Sequence, residues 1–219
     1  MLTAVIFDMD GVLIDSEPFW QRAQMAVFSE LGHPHTVEDC ESTIGVRIDQ
    51  LVAHWYRLRP WSGPSQEEVV QRILDRVNAL ILSEGQAKAG VLEALDLIEA
   101  RGLKVGLATS SPFAMVEAVL GKLGIRDRFL AVHSAEVERF GKPHPDVYIH
   151  AAEKLGVEPV HCLAIEDSFT GLLAAKAASM KALIVPDPAL VGDPRLAIAD
   201  HQLRSLTELD AEMLASWVK

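Results

Sequence analysis

A chain of 219 residues with a net charge of −11 and 49% hydrophobic residues can build one large domain, or a domain carrying an insert, around a substantial core. Its acidity argues against nucleic acid, which needs a basic face, and against an anionic membrane surface. No apolar stretch reaches the roughly 18 residues needed to span a bilayer. The two cysteines, Cys40 and Cys162, make no disulfide framework, so a reducing, cytoplasmic setting without a leader is expected.

The first apolar run, residues 4–7, ends in Asp8-Met9-Asp10-Gly11. A run that is continuous rather than alternating predicts a strand buried on both faces. Two carboxylates one residue apart at its end repel each other and resist burial, so something must neutralise them. From there to Val105 no second strand is evident. Phe19, Ala23, Ala26 and Val27 make one helical stripe, and Leu51, Val52, Trp55 and Tyr56 another. Ser65-Gln66-Glu67-Glu68 is a capping box opening a long helix through Val69, Val70, Ile73, Leu74, Val77 and Ile81. These patterns predict a mainly helical insert at 16–87, interrupting a core of 1–15 and 88–219.

The core then resumes. Val91, Ala94, Leu95 and Ile98 recur at i, i+3, i+4, i+7, with Gly102 placed to end the helix. Residues 105–108 read as a strand. Ser111-Pro112 reads as the N-cap and first residue of a helix that Gly124 stops. A strand at 129–132, a helix at 145–155 closed by Gly156, strands at 162–165 and 183–185, and a loop at 186–194 follow. The alternation predicts an α/β fold with a Rossmann-like parallel sheet.

Ligands of an open parallel sheet bind beyond the carboxyl ends of its strands. Asp8 and Asp10 follow the first run, Thr109 and Ser110 the second, Gly141-Lys142-Pro143 the third, and Glu166 and Asp167 the fourth. Each alone has an ordinary reading. Asp-x-Asp-Gly forms turns, Thr109 and Ser110 can cap a helix, an isolated loop lysine such as Lys142 is usually solvated, and Glu166-Asp167-Ser168 suits a helix N-terminus. Gathered at one sheet edge they say more. Four carboxylates need a cation, and an oxygen-only donor set suits Mg²⁺; a magnesium ion and one lysine would hold a phosphate. Side chains two apart on an extended segment face the same way, so one carboxylate can act as nucleophile while the other carries a proton.

Four motifs, "FDMDGV", "LATSS", "GKPHPDVY" and "IEDS", occur in this order. With them the chain resembles, over nearly its whole length, the haloacid dehalogenase superfamily, in the phosphatase branch with a small helical cap after the first motif. "SEPFW", "HWYRLRPWSGPS" and "PDPALVGDPR" resemble bacterial phosphatases of hexitol phosphates and 2-deoxyglucose 6-phosphate. Ala89 stands before Gly90 where relatives often have proline, which bears only on the linker. The resemblance implies that Asp8 is the nucleophile and that Asp10 protonates the leaving alcohol and then activates water. It implies that Asp8, the Asp10 backbone carbonyl and Asp167 hold Mg²⁺, with Glu166 a further ligand or acting through water. It implies that Thr109, Ser110 and Lys142 hold the phosphoryl oxygens.

The expected activity is Mg²⁺-dependent hydrolysis of small sugar or hexitol phosphates, such as 2-deoxyglucose 6-phosphate, mannitol 1-phosphate or sorbitol 6-phosphate, by a monomer with no nucleic-acid or membrane partner. The insert is expected to be a lid, with Trp20 contacting substrate; Trp55 and Trp61 suit the insert's own core, a sugar contact staying open. A sugar phosphomutase is the alternative. It would carry a histidine twelve positions after the nucleophile, where this chain has Trp20. A phospho-accepting receiver domain would lack the insert and need no proton-carrying second aspartate. His33 and His35 read as a loop after a helix, and His133, His144, His150 and His161 as scattered residues without chemistry.

Overall fold

The computed structural model describes residues 1–218. Strands β1 (Ala4–Phe7), β2 (Lys104–Thr109), β3 (Ala131–Ser134), β4 (Cys162–Glu166), β5 (Lys181–Ile184) and β6 (His201–Gln202) form one sheet in the order β3-β2-β1-β4-β5-β6, with every neighbouring pair parallel. β1 is central and wholly buried; Phe7 lies between Leu107 and Ile165. The chain fills one side of β1 through β2 and β3, then crosses to fill the other through β4, β5 and β6. This reversal opens a crevice at the carboxyl end of β1.

Alternate residues of each strand point to opposite faces. Val5, Phe7, Leu107, Leu163 and Ile165 pack with α5 (Val91–Ala100) and α6 (Phe113–Leu123). Ala4, Ile6, Ala108 and Ala164 pack with α7 (Asp146–Leu155) and α8 (Phe169–Ala177). β3 starts two residues later than its apolar run suggests. Phe129 instead plugs the core edge-on against Phe7, with ring centroids 6.2 Å apart, and Leu130 is exposed. β6 carried no apolar signal because both of its residues are exposed at the sheet edge.

Ahead of α5, between β1 and β2, lie α1 (Glu17–Glu30), α2 (Val37–Glu41), α3 (Ile48–Leu58) and α4 (Gln66–Glu84); the helical patterns predict α1, α3 and α4, and the short α2 carried none. The capping box at Ser65 and Glu68 is formed. Val69, Ile73, Val77 and Ile81 bury one face of α4, each worth about 1.5–3 kcal/mol. A second box, Thr36 with Asp39, opens α2. His35 lies in the loop after α1 but is buried, stacked on Phe28 at 3.8 Å, and burial pulls its pKa down to about 4. Trp55 and Trp61 are buried in the same group. The two connectors run side by side. Ile14 bridges Ala87, the Lys88 amide donates to the Leu13 carbonyl at 3.0 Å, and Lys88 Nζ donates to the Gly11 carbonyl at 2.6 Å. Among the described residues no helix is long and apolar enough to cross a membrane.

Candidate active site

One residue beyond β1, the Asp8 amide still donates to the Ile165 carbonyl at 2.9 Å. The backbone therefore remains in sheet register while the carboxylate enters the crevice. Lys142 Nζ donates to Asp8 Oδ1 at 2.7 Å, to Glu166 Oε1 at 2.6 Å and to the Ala108 carbonyl at 3.1 Å. All three of its protons are committed, and the side chain is 3% exposed; the solvated reading of this lysine does not hold. Glu166 is completely buried. Its Oε1 also accepts from the Tyr148 hydroxyl at 2.5 Å, and its Oε2 from the Asp167 amide and the Ser168 hydroxyl. Asp167 sits against Gly11. A Cβ there would fall 1.7 Å from Asp167 Oδ2, and φ is +73°, so only glycine allows the approach.

Asp8, Glu166 and Asp167 each offer an oxygen within 4.8 Å of the others. Asp10 does not join them. Its Oδ1 accepts from Ser16 Oγ at 2.5 Å and Trp20 Nε1 at 3.2 Å, and its Oδ2 from Ser111 Oγ at 2.6 Å. Three donors thus hold the Asp10 carboxylate outside the group of three. Ser111 is not the N-cap of α6. Its hydroxyl serves Asp10, Pro112 takes the cap position, and Glu136 accepts from the first helical amide, Phe113, at 2.8 Å. Ser16 precedes α1 without capping it for the same reason.

Burial pushes the Asp8 carboxyl up to about 8, with Glu166 and Asp10 adding and Lys142 opposing. Burial raises Asp167 as well, helped by Asp8 and Glu166. Burial alone would lower Lys142, but Asp8 and Glu166 hold it above its ordinary value. Three buried carboxylates facing one ammonium leave a deficit of positive charge, and their donors are all hard oxygens. That set fits a divalent cation such as Mg²⁺.

The crevice is floored by Asp8, Thr109, Ser110, Lys142 and Asp167 and roofed from α1 to α3 by Glu17, Trp20, Gln24, Cys40, Thr43 and Ile48, with Asp10 between the two, bonded to Ser16 and Trp20 on the roof side. Thr109 Oγ1 accepts from the Ser111 amide at 3.0 Å, and Ser110 Oγ is buried without a partner. Asp8, Asp10, Trp20, Thr109, Ser110, Lys142 and Asp167 thus line one crevice, with Glu166 behind it on Lys142. Trp55 and Trp61 do not line the crevice. Among its lining residues Lys142 is the only cation. Burial, with Asp187 and Asp10, pushes Glu17 up to about 8 against its bond from Gln21. Gln24 is 3% exposed and its Oε1 has no partner. Burial pushes the Cys40 thiol up to about 11, which makes it unreactive. Sequence reasoning missed Ser16, Glu17, Gln24, Ser111 and Tyr148 as site residues. It also missed Arg47, whose Nη1 donates across the crevice to the Ala135 and Glu138 carbonyls, each at 2.9 Å.

Residues 2–179 match the family described as haloacid dehalogenase-like hydrolase. Hexitol phosphatase B of Escherichia coli (strain K12) is 47% identical over 214 residues, covering 97% of this chain and 96% of that protein. Fructose-1-phosphate phosphatase YqaB of the same strain is 33% identical over 195 residues, covering 83% and 95%. Among solved structures, the β-phosphoglucomutase of Clostridium difficile is similar with a TM-score of 0.84 at 25% identity, covering 99% of this chain and 97% of that one.

Proposed function

The chain belongs to the haloacid dehalogenase-like hydrolases and is a phosphatase of small phosphorylated molecules, and on that premise we propose that it hydrolyses monophosphates of neutral sugars or hexitols through an aspartyl-phosphate on Asp8. The observation that carries this reading is the separation of two aspartates one residue apart. Asp8 is paired with Lys142 in a buried charge cluster, whereas Asp10 is held apart by three neutral donors at the crevice.

In this reading an Asp8 oxygen attacks phosphorus, the bond from phosphorus to the sugar oxygen breaks, and Asp10 gives that oxygen its proton. Asp10 then takes a proton from water as the water attacks the aspartyl-phosphate, releasing phosphate and restoring Asp8. Lys142, the Thr109 hydroxyl and the Ser110 amide hold the phosphoryl oxygens, so positioning and charge neutralisation do most of the catalysis. Asp8, Asp167 and the Asp10 carbonyl would hold Mg²⁺, which supplies positive charge for the phosphoryl oxygens and the ionised Asp8. Glu166 has hydrogen bonds on both oxygens, and its role is to anchor Lys142.

Residues 16–87 act as a cap on a core of 1–15 and 88–219, closing on the paired connectors and excluding water. The roof supports a neutral leaving group. A second phosphate there would meet Asp10 and Glu17 and no cation, whereas Gln24 and Glu17 can exchange hydrogen bonds with hydroxyls. Trp20 contacts the sugar and orients Asp10. An indole cannot shuttle a proton at neutral pH, which disfavours the mutase alternative. Phosphate release from a panel of sugar and hexitol monophosphates in Mg²⁺ tests the substrate class, and preference for bisphosphates would refute it. Glucose 1-phosphate with a trace of the 1,6-bisphosphate should yield phosphate and free sugar only; glucose 6-phosphate forming faster than phosphate would establish a mutase.

A further inference from the structure

Glu138 lies in the loop between β3 and α7, four residues before Lys142. Its Oε1 receives two imidazoles at once: His133 Nε2 from β3, and His150 Nδ1 from α7 at 2.7 Å. The rings are nearly perpendicular, at 78°, with centroids 5.5 Å apart. One ligand atom from each of the three residues lies within 4.8 Å of the others. The His133 and Glu138 side chains are 5% and 7% exposed, whereas His150 is 42% exposed and leaves the cluster open on one side.

Hydrogen bonding alone explains this arrangement poorly. Burial lowers the pKa of His133, and its Nδ1 is buried with no partner. The protein thus bears the cost of a desolvated imidazole only to point its other nitrogen at an oxygen already served by His150. Two imidazole nitrogens and a carboxylate converging with one open side are, however, the donor set of a three-ligand zinc-type site. Magnesium prefers oxygen alone, so this set selects borderline transition ions instead.

We propose that His133, Glu138 and His150 form a second metal site, taking Zn²⁺ or a similar divalent transition ion, distinct from the oxygen-only cluster of Asp8, Glu166 and Asp167. The Glu138 carbonyl, with that of Ala135, accepts from Arg47 of α3's N-terminus. An ion here ties β3 to α7 through the loop that delivers Lys142 and receives this contact from the roof.

The test is titration of chelator-stripped protein with Co²⁺, in a large excess of Mg²⁺ that keeps the oxygen cluster filled. Visible absorption reports imidazole-bound cobalt, and calorimetry with Zn²⁺ gives the stoichiometry. Wild type and Asp167→Asn should each bind one equivalent at this site with the visible bands. Glu138→Gln and His150→Ala should weaken binding by more than roughly tenfold, beyond the loss of a merely supporting partner, and remove the bands. His150 is open to solvent, so its replacement leaves the fold intact, which circular dichroism checks. Absence of uptake by wild type, uptake unchanged in both variants, or loss of uptake in Asp167→Asn would each overturn the proposal.

Discussion

The floor and the roof of the crevice bury acidic groups in opposite ways. On the floor, Asp8, Glu166 and Asp167 are kept near full burial by an ammonium and by a donor set suited to a divalent cation. On the roof side, Asp10 is held by two hydroxyls and an indole, and burial raises the pKa of Glu17 to about 8. The difference maps onto the two halves of a phosphate monoester. In the proposed reaction the floor would meet the dianionic phosphoryl group and the roof the neutral alcohol. Only neutral donors bond the Asp10 carboxylate: the Ser16 and Ser111 hydroxyls and the Trp20 indole.

The comparison breaks most severely at the nucleophile. Asp8→Asn should lower turnover by about 10⁴ to 10⁶, the scale of nucleophile removal, while circular dichroism stays native; turnover above a tenth of wild type would remove Asp8 from the chemistry. Lys142→Met strikes the floor's charge balance. It leaves Asp8 and Glu166 uncompensated, and breaking a buried pair in this way costs about 3–5 kcal/mol, to be read by denaturant unfolding in the absence of divalent ions. An unchanged midpoint would mean that the floor is not held by charge.

Mg²⁺ at a hundredfold excess over its Kd should raise stability by about 2.7 kcal/mol, and chelation should abolish activity reversibly. Full activity in excess chelator would refute the cation. On the roof, Trp20→Phe keeps the packing but removes one hydrogen bond to Asp10, worth about 0.5–1.5 kcal/mol. It should alter discrimination among sugar phosphates more than turnover of a small artificial ester; equal losses would make Trp20 a structural residue.

A further test concerns pH. Glu17 has a folded pKa of about 8 against an ordinary 4.5. A raised folded pKa means that the unfolded state releases its proton first, so this residue's share of stability is complete below pH 4.5 and lost as pH rises through about 8. The Tm of Glu17→Gln in saturating Mg²⁺ should therefore gain on wild type between pH 5 and 8.5, and parallel curves would contradict a raised pKa at Glu17.

The floor was legible because its residues follow apolar strand runs, and the parallel sheet delivers the ends of those runs to one edge. The roof was less so. Ser111 read as a helix cap because a serine hydroxyl beside a helix start serves equally well as a cap or as a donor to a distant carboxylate, and Ser16 at the start of α1 is a donor of the same kind. Tyr148 and Gln24 carry no local signal that separates a packing residue from a polar contact, since each finds its surroundings only in the tertiary fold. His133 and His150 read as scattered because β3 and α7 bring them to Glu138 only once the sheet is covered. The same packing placed Glu136, distant in sequence, at the first amide of α6.

The division of labour between Asp8 and Asp10 is tested most directly by trapping the intermediate. Asp10→Asn should be mixed with an activated phosphate ester, whose leaving group needs no proton, then quenched with acid and digested for peptide mass analysis. The account predicts one added phosphoryl group on the peptide containing Asp8, building up faster than phosphate is released and missing from the Asp8→Asn, Asp10→Asn double variant. Release of phosphate with no phosphorylated Asp8 peptide at any time point would contradict it.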